Sequence, residues 1–292
     1  MEVAALTSAP ARASDFVLLT KPRITFLVLV TTAVGYALGV GTNFQPGVFV
    51  ALLVGTALVS GGASALNQWA ERDADARMSR TRSRPLPAGR LVPSDAFAFG
   101  VAISLVGLVL LASAVNSLTA LLAAASLASY VLAYTPLKRI TPLCTLVGAI
   151  PGAIPPMMGW VAATGSLGRV AWALFAVLFL WQLPHFLAIA WIYRDDYARG
   201  GFPMLPVTDP GGDSTARQSV AYASALVPVT LLAGAFAGAG PVYLWSAVGL
   251  GVLFLGCAVA FAVLRSTRSA RWLFLVSVLY LPAVLGLMVL DR

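Results

Sequence analysis

Nine stretches of about 20 residues, each long and apolar enough to cross the hydrocarbon core of a bilayer, run through this chain from residue 24 to residue 290. No other feature constrains the fold as much. Backbone N–H and C=O groups placed in lipid find no water, so such segments must form helices that satisfy their own hydrogen bonds. The windows lie at roughly 24–42, 46–70, 94–114, 117–135, 143–162, 170–192, 218–238, 242–264 and 272–290. With 59% hydrophobic residues, 10% charged residues and a mean hydropathy of +0.88, the chain reads as an all-α, polytopic membrane protein. Residues 1–20 carry Glu2, Arg12 and Asp15 but no apolar core followed by a cleavage site, so they read as a cytoplasmic N-terminal tail rather than a signal peptide. Residues 21–292 then form a single membrane domain. Cys144 and Cys257 stand alone in apolar surroundings, which argues against a disulfide framework or a zinc site.

The net charge of +8 has a topological explanation. If the nine spans alternate direction, all of the 19 Lys and Arg except Arg169 and Arg292 fall on one side of the membrane. By the positive-inside rule that side is the cytoplasm, with the N-terminus inside and the C-terminus outside. Nucleic acid is therefore not an expected partner. The acids have little reason to follow the same rule, yet all 11 except Asp291 share that face. Clustered acids and bases at one membrane surface point to a site there.

The first acidic group follows the second span in "NQWAERDADARMSRTRSRPLPAGR", residues 67–90. At about 100° per residue, Asn67, Glu71 and Asp75 are successive i, i+4 positions on one helical stripe, and Asp73 falls off it. An amide and carboxylates converging at an interface offer the hard oxygen ligands that Mg²⁺ prefers, with substrate phosphates completing the shell. The plainer reading is a helix end whose acids pair with Arg72, Arg77 and Arg80. A second group, Asp195 and Asp196 in "YRDDYARGGFPMLP", follows the sixth span and shares the layout of acids, arginine and a Pro-rich exit. Two such groups facing each other could clamp two metal ions on a diphosphate.

Lys21 and Arg23 in "TKPRIT", Arg80, Arg84 and Arg90 in "RTRSRPLPAGR", and Tyr134, Lys138 and Arg139 in "YTPLKR" supply the complementary charge, with Arg199 beside the second acidic pair. Guanidinium forks bind phosphate oxygens bidentately and lysine adds a point charge. Taken singly, each is also explained by the positive-inside bias or by lipid headgroups. The one histidine, His185 in "WQLPHFLAIAW", stands inside a span, where an ionisable side chain is a functional candidate. An iron or substrate contact, a proton-transfer role and a neutral, hydrogen-bonded imidazole all fit it. "GAIPGAIPPMMGW", residues 148–160, offers small residues for close packing and prolines for a broken helix.

These motifs resemble the UbiA superfamily of intramembrane prenyltransferases, and within it the branch that farnesylates haem, the haem O synthases. The carriers are "NQ..ERD.DA.M.RT..RPLP.GR" at 67–90 with "LTKPRIT", "YTPLKR", "GAIPPMMGW", "PHFLAIA" and "DDYARGGFPMLPV", in the family's order between residues 19 and 207. The departure is "TPLCTLVG", where many relatives carry a polar residue near Cys144. The resemblance implies a UbiA-type bundle, and the lack of an Arg/Ser-rich transit segment in the opening residues favours a bacterial inner membrane over a mitochondrial one. It implies Mg²⁺, as two ions, held by Asn67, Glu71, Asp75, Asp195 and Asp196. It also implies farnesyl diphosphate bound by Lys21, Arg23, Arg80, Arg84, Tyr134, Lys138, Arg139 and Arg199. Its expected activity is transfer of the farnesyl group to a vinyl of haem b with addition of water, His185 contacting haem or handling the proton. A haem A synthase is a candidate partner. Two rivals stay open: a relative acting on an aromatic quinone precursor, and a transporter. The latter has the difficulty that no acid lies near mid-membrane.

Overall fold

The computed structural model describes residues 12–292. Among these residues every regular element is helical. A short α1 (Ala13–Leu19) is followed by α2 (Pro22–Val40), α3 (Pro46–Asp75) and α4 (Pro93–Ala114). Next come α5 (Ser117–Ala128), a π-helical turn (Ser129–Tyr134) and α6 (Thr135–Leu137), which together make one span. Then follow α7 (Cys144–Thr164), α8 (Arg169–Ile192), the short α9 (Arg194–Gly200) and α10 (Leu205–Thr208). The long α11 (Asp213–Ala237), α12 (Pro241–Leu264) and α13 (Thr267–Leu290) complete the chain. Nine segments among the described residues can cross a bilayer, at the positions the hydropathy pattern expects. The protein is an integral, multi-pass membrane protein. Its outward faces keep large apolar side chains uncovered, Trp245 at 73% and Val263 at 76% exposure, as lipid contact requires.

Of the stretch read as an N-terminal tail, residues 1–11 lie outside the described residues. Ala13–Leu19 are ordered as α1, with Leu19 sealed beside Ala65 and Leu86 and Asp15 bonded to Arg90 at 2.8 Å. The Arg90 guanidinium, opposed in part by burial, holds the Asp15 carboxyl below its ordinary pKa.

Proline opens α2, α3, α4 and α12, where its missing N–H costs nothing. Inside α7 it does cost a bond: Pro155 cannot donate to the carbonyl of Pro151. The Ser126 hydroxyl of α5 donates to that oxygen instead, at 3.1 Å, and α7 stays continuous.

Lipid tails are as apolar as leucine, so helices in a membrane associate through close fit rather than through the hydrophobic effect. α2 and α7 approach so tightly that a Cβ on Gly159 would stand 1.9 Å from the Thr32 carbonyl oxygen. One core gathers α8, α11, α12 and α13 around Val177, Ala223, Phe254 and Tyr280. Another joins α2, α3, α4, α5 and α7 around Tyr36, Leu52, Leu111 and Ile154.

Two polar ends result. At one, Asp291 accepts from the Tyr243 N–H at 2.6 Å and Arg292 donates to the Leu38 carbonyl at 3.0 Å. The other end collects Lys21, the end of α3, Lys138, α9 and Arg265. The geometry of α3 decides what happens there. Its 30 residues span about 45 Å against a hydrocarbon core of about 30 Å. The helix runs five residues past the apolar window and carries Glu71 and Asp75 with it as rigid structure.

A methyl group at Gly159 collides with backbone, whereas one at Gly286 meets nothing within 4 Å. Gly159→Ala should therefore destabilise the protein by about 1–3 kcal/mol, and Gly286→Ala should be neutral or stabilising by up to about 1 kcal/mol. Thermal unfolding of the two variants in the same detergent checks the contrast.

Candidate active site

The stripe on α3 is buried as a unit, with Asn67 at 3%, Glu71 at 2% and Asp75 at 0% exposure. Each member is met by a cation from a different part of the chain. Lys21, preceding α2, donates from Nζ to Asn67 Oδ1 at 3.2 Å. Lys138, following α6, bonds both Glu71 carboxylate oxygens at 2.9 and 3.1 Å. Arg84, in the segment after α3, reaches Asp75 Oδ2 at 2.6 Å. Asp73 points outward with 75% of its side chain exposed, off the stripe as the helical spacing requires.

The backbone is shaped to deliver these charges. Lys21 sits at φ 48°, ψ 65°, a left-handed conformation that disfavours a side chain by on the order of 1–3 kcal/mol. It lies between α1 and α2 and turns the amine inward. Thr135, at the start of α6, accepts from Asn67 Nδ2 at 3.1 Å and donates to the Tyr130 carbonyl at 2.8 Å, tying the π-helical turn to the stripe. Tyr130 and Tyr134 stack at 5.2 Å on that turn. The Lys138 ammonium lies 4.4 Å over the Phe202 ring.

The two lysines respond differently to their surroundings. Burial, then the Arg84 guanidinium, pulls Lys21 from 10.5 to about 7. Burial works against the Lys138 charge too, but the Glu71 carboxylate outweighs it and holds this lysine above its ordinary value.

The second acidic group divides. Asp196 is buried and accepts from the backbone N–H groups of Ser79 at 3.1 Å and Arg80 at 3.3 Å, with Arg199 paired to the same carboxylate. Burial alone would raise its pKa; these bonds outweigh that and leave it below the ordinary value. Asp195 faces out, 84% exposed, with Arg194 at 3.9 Å. Asp196 therefore braces the loop after α3, and Asp195 is not turned toward the stripe. Among the described residues no group of three His, Cys, Asp or Glu is close enough to hold a metal ion.

The other basic candidates also separate. Arg80 lies over the rings of Tyr193 at 5.0 Å and Tyr197 at 5.6 Å. Arg139 donates to the Ala70 carbonyl at 2.7 Å, and Arg23 is exposed without a polar contact among the described residues. Tyr134 packs against Gly148, whose Cβ would meet the ring at 2.6 Å. His185 is not part of the charged cluster. It sits on α8 about 10 Å before the end of the helix, bonded to Ser277 of α13 at 2.7 Å. Thr135, Tyr197, Phe202 and Ser277 were not singled out from the sequence. Thr135 left a trace in its place inside "YTPLKR", as did Tyr197 and Phe202 inside "YRDDYARGGFPMLP"; Ser277 left none.

One polar atom here is unmet. Asp75 Oδ1 is fully buried and has no hydrogen-bond partner among the described residues. A buried acceptor left this way costs about 1–3 kcal/mol, so the position suits an incoming cation or donor. The ligand atoms the stripe itself can offer, from Asn67, Glu71 and Asp75, are oxygens, a set that fits Mg²⁺.

The UbiA prenyltransferase family profile matches residues 28–281, nearly the whole membrane domain. The chain belongs to the UbiA prenyltransferase family. A protoheme IX farnesyltransferase of Solibacter usitatus is 50% identical over 287 residues, covering 95% of this chain and 98% of that one. Another from Anaeromyxobacter sp. is 49% identical over 270 residues, covering 92% and 90%. A solved digeranylgeranylglyceryl phosphate synthase superposes with a TM-score of 0.81 at 15% identity, covering 95% of this chain and 97% of that one. A UbiA homologue from Archaeoglobus fulgidus, solved with GPP and Mg²⁺, gives a TM-score of 0.67 at 15% identity, covering 94% and 99%. These structural likenesses establish that this chain has the UbiA fold.

Replacing Lys138 strands the Glu71 carboxylate in a buried site. Lys138→Met should cost about 3–5 kcal/mol, and the double change Glu71→Met/Lys138→Met should recover much of that loss. A double-mutant cycle by thermal unfolding measures the difference.

Proposed function

We propose that this protein transfers the farnesyl group of farnesyl diphosphate to a vinyl group of haem b, with addition of water, giving haem O and diphosphate. The observation that carries the reaction class is the buried Asn67–Glu71–Asp75 stripe with three convergent cations at one end of an apolar bundle. The choice of haem as acceptor is supported by the near full-length similarity to protoheme IX farnesyltransferases at 49–50% identity.

Lys21, Lys138 and Arg84 bind the diphosphate oxygens, leaving the stripe they now neutralise, and Arg80, Arg139 and Arg199 complete the positive rim. Arg23 adds charge at the entrance. The oxygen donors that would hold Mg²⁺ are Asn67, Glu71 and Asp75 on α3; of the pair on α9, Asp195 would have to turn inward from its exposed position, and Asp196 to leave the Ser79 and Arg80 amides, to join them. Bound there, Mg²⁺, which we place as two ions, would supply charge neutralisation that makes diphosphate a better leaving group. Breaking the C1–O bond sends the electron pair to diphosphate and leaves an allylic cation. Tyr134 and the apolar helices keep bulk water from it. The vinyl π electrons of haem attack C1, and water adds to the new carbocation beside the porphyrin and releases a proton. The site opens to the cytoplasm, with the N-terminus on that side and the C-terminus opposite, in a bacterial inner membrane.

Pigment extraction from membranes containing this chain tests the reading. Haem O should form from haem b and farnesyl diphosphate, and Glu71→Gln should lower its formation by about 100-fold or more. Prenylation of an aromatic quinone precursor, with no haem O, would sink the proposal in favour of that acceptor.

A further inference from the structure

His185 is the one histidine of the chain, and it lies in the seam between α8 and α13, away from the charged cluster. Its surroundings determine which ring nitrogen carries the proton. Ser277 Oγ lies 2.5 Å from the Phe274 carbonyl oxygen. Two oxygens approach that closely only with a proton between them, and a carbonyl has none to give. The single hydroxyl proton of Ser277 is therefore spent on Phe274. What Ser277 can still offer His185 Nδ1, 2.7 Å away, is a lone pair. A neutral imidazole bonded this way carries its proton on Nδ1 and an unshared pair on Nε2.

The rest of the seam holds the ring in this pose. Trp181 Nε1 donates to the Ser277 carbonyl at 2.8 Å, fixing the α13 turn that bears the hydroxyl. The imidazole stacks on Trp181 at 4.9 Å and lies against Phe274 at 5.1 Å. Nε2 has no hydrogen-bond partner among the described residues. His185 is only half buried, and Nε2 is absent from the polar atoms sealed in without a partner. An oriented nitrogen lone pair in an apolar seam, its far side braced by a hydroxyl, is how a protein presents an imidazole to a metal. Cys144, a soft donor elsewhere in the bundle, is sealed against Met204 at 3.8 Å.

We propose that His185 Nε2 ligates the iron of haem b and that Ser277 is the positioning residue that fixes the tautomer for it. The bond is a dative Fe–N bond, with no change of oxidation state and no proton released. The proposal rests on the haem reading of the substrate given above.

The test titrates ferric haem b into the purified full-length protein in detergent and follows the absorption and EPR signatures of imidazole ligation. The unsubstituted chain should show them. His185→Gly should lose them and regain them when free imidazole is added. Ser277→Ala should weaken haem binding about 10- to 100-fold, the range expected when a metal ligand loses its supporting hydrogen bond. Ser277→Thr, which keeps the acceptor, should hold the spectrum. Thermal unfolding of each variant separates loss of the ligand from loss of the fold. An unchanged spectrum in His185→Gly, with haem O still formed by the unsubstituted chain, overturns the ligand assignment and leaves the haem reading standing. Failure of the unsubstituted chain both to bind haem and to form haem O overturns the two together.

Discussion

Three polar side chains on one face of α3, drawn below the protein surface, set the terms for everything at that end of the bundle. Asn67, Glu71 and Asp75 cannot be buried unpaired, because two of them carry charge and the third carries an amide. The chain supplies a cation to each, and does so from three segments far apart in sequence. That requirement brings the start of α2, the end of α6 and the loop after α3 into one place. It also explains why Lys21 is tolerated in a left-handed conformation: the ion network over-determines its position. The same burial that makes the network costly to break leaves one oxygen, Asp75 Oδ1, without a partner among the described residues. A resting site that sets three cations against two carboxylates, yet keeps one carboxylate oxygen open, is well suited to exchange its internal cations for a metal–diphosphate complex.

The apolar remainder follows a different logic. Lipid cannot satisfy a backbone, so the helices must be complete, and where proline interrupts one a neighbour must lend a donor. Ser126 does this for α7. Packing in the bundle then depends on close approach at glycine, as at Gly159 against α2. The division between rigid apolar bundle and charged rim separates two tasks: the rim holds the leaving group, and the bundle excludes water from the cation it leaves behind.

Much of this was legible in the sequence because it depends on local periodicity. The spans are set by length and hydropathy, and the i, i+4 spacing put Asn67, Glu71 and Asp75 together and left Asp73 out, as the structure has it. Partner choice was not legible, since it is decided by tertiary contacts. Nothing in "RDDYARGG" distinguishes Asp195 from Asp196, yet one faces solvent while the other caps two backbone amides. The motif placed His185 inside its span, but its partner, Ser277, lies 92 residues away on a helix with no recognisable motif. The order of α1 likewise depends on Arg90, a residue far along the chain that meets Asp15 only in the folded protein.

The π-helical turn at Ser129–Tyr134 has a consequence for how this site could have arisen. A π turn is an α-helix that has absorbed an extra residue, and everything beyond it is rotated by about 100° relative to the uninterrupted helix. Thr135 and Lys138 lie beyond it, so their aim at Asn67 and Glu71 depends on that one residue. Removing it would restore a regular helix in the same membrane position while swinging the lysine away from its carboxylate. An insertion of one codon in a plain transmembrane helix is thus enough to convert a lipid-facing lysine into a substrate-facing one, leaving the length and hydropathy of the span almost untouched.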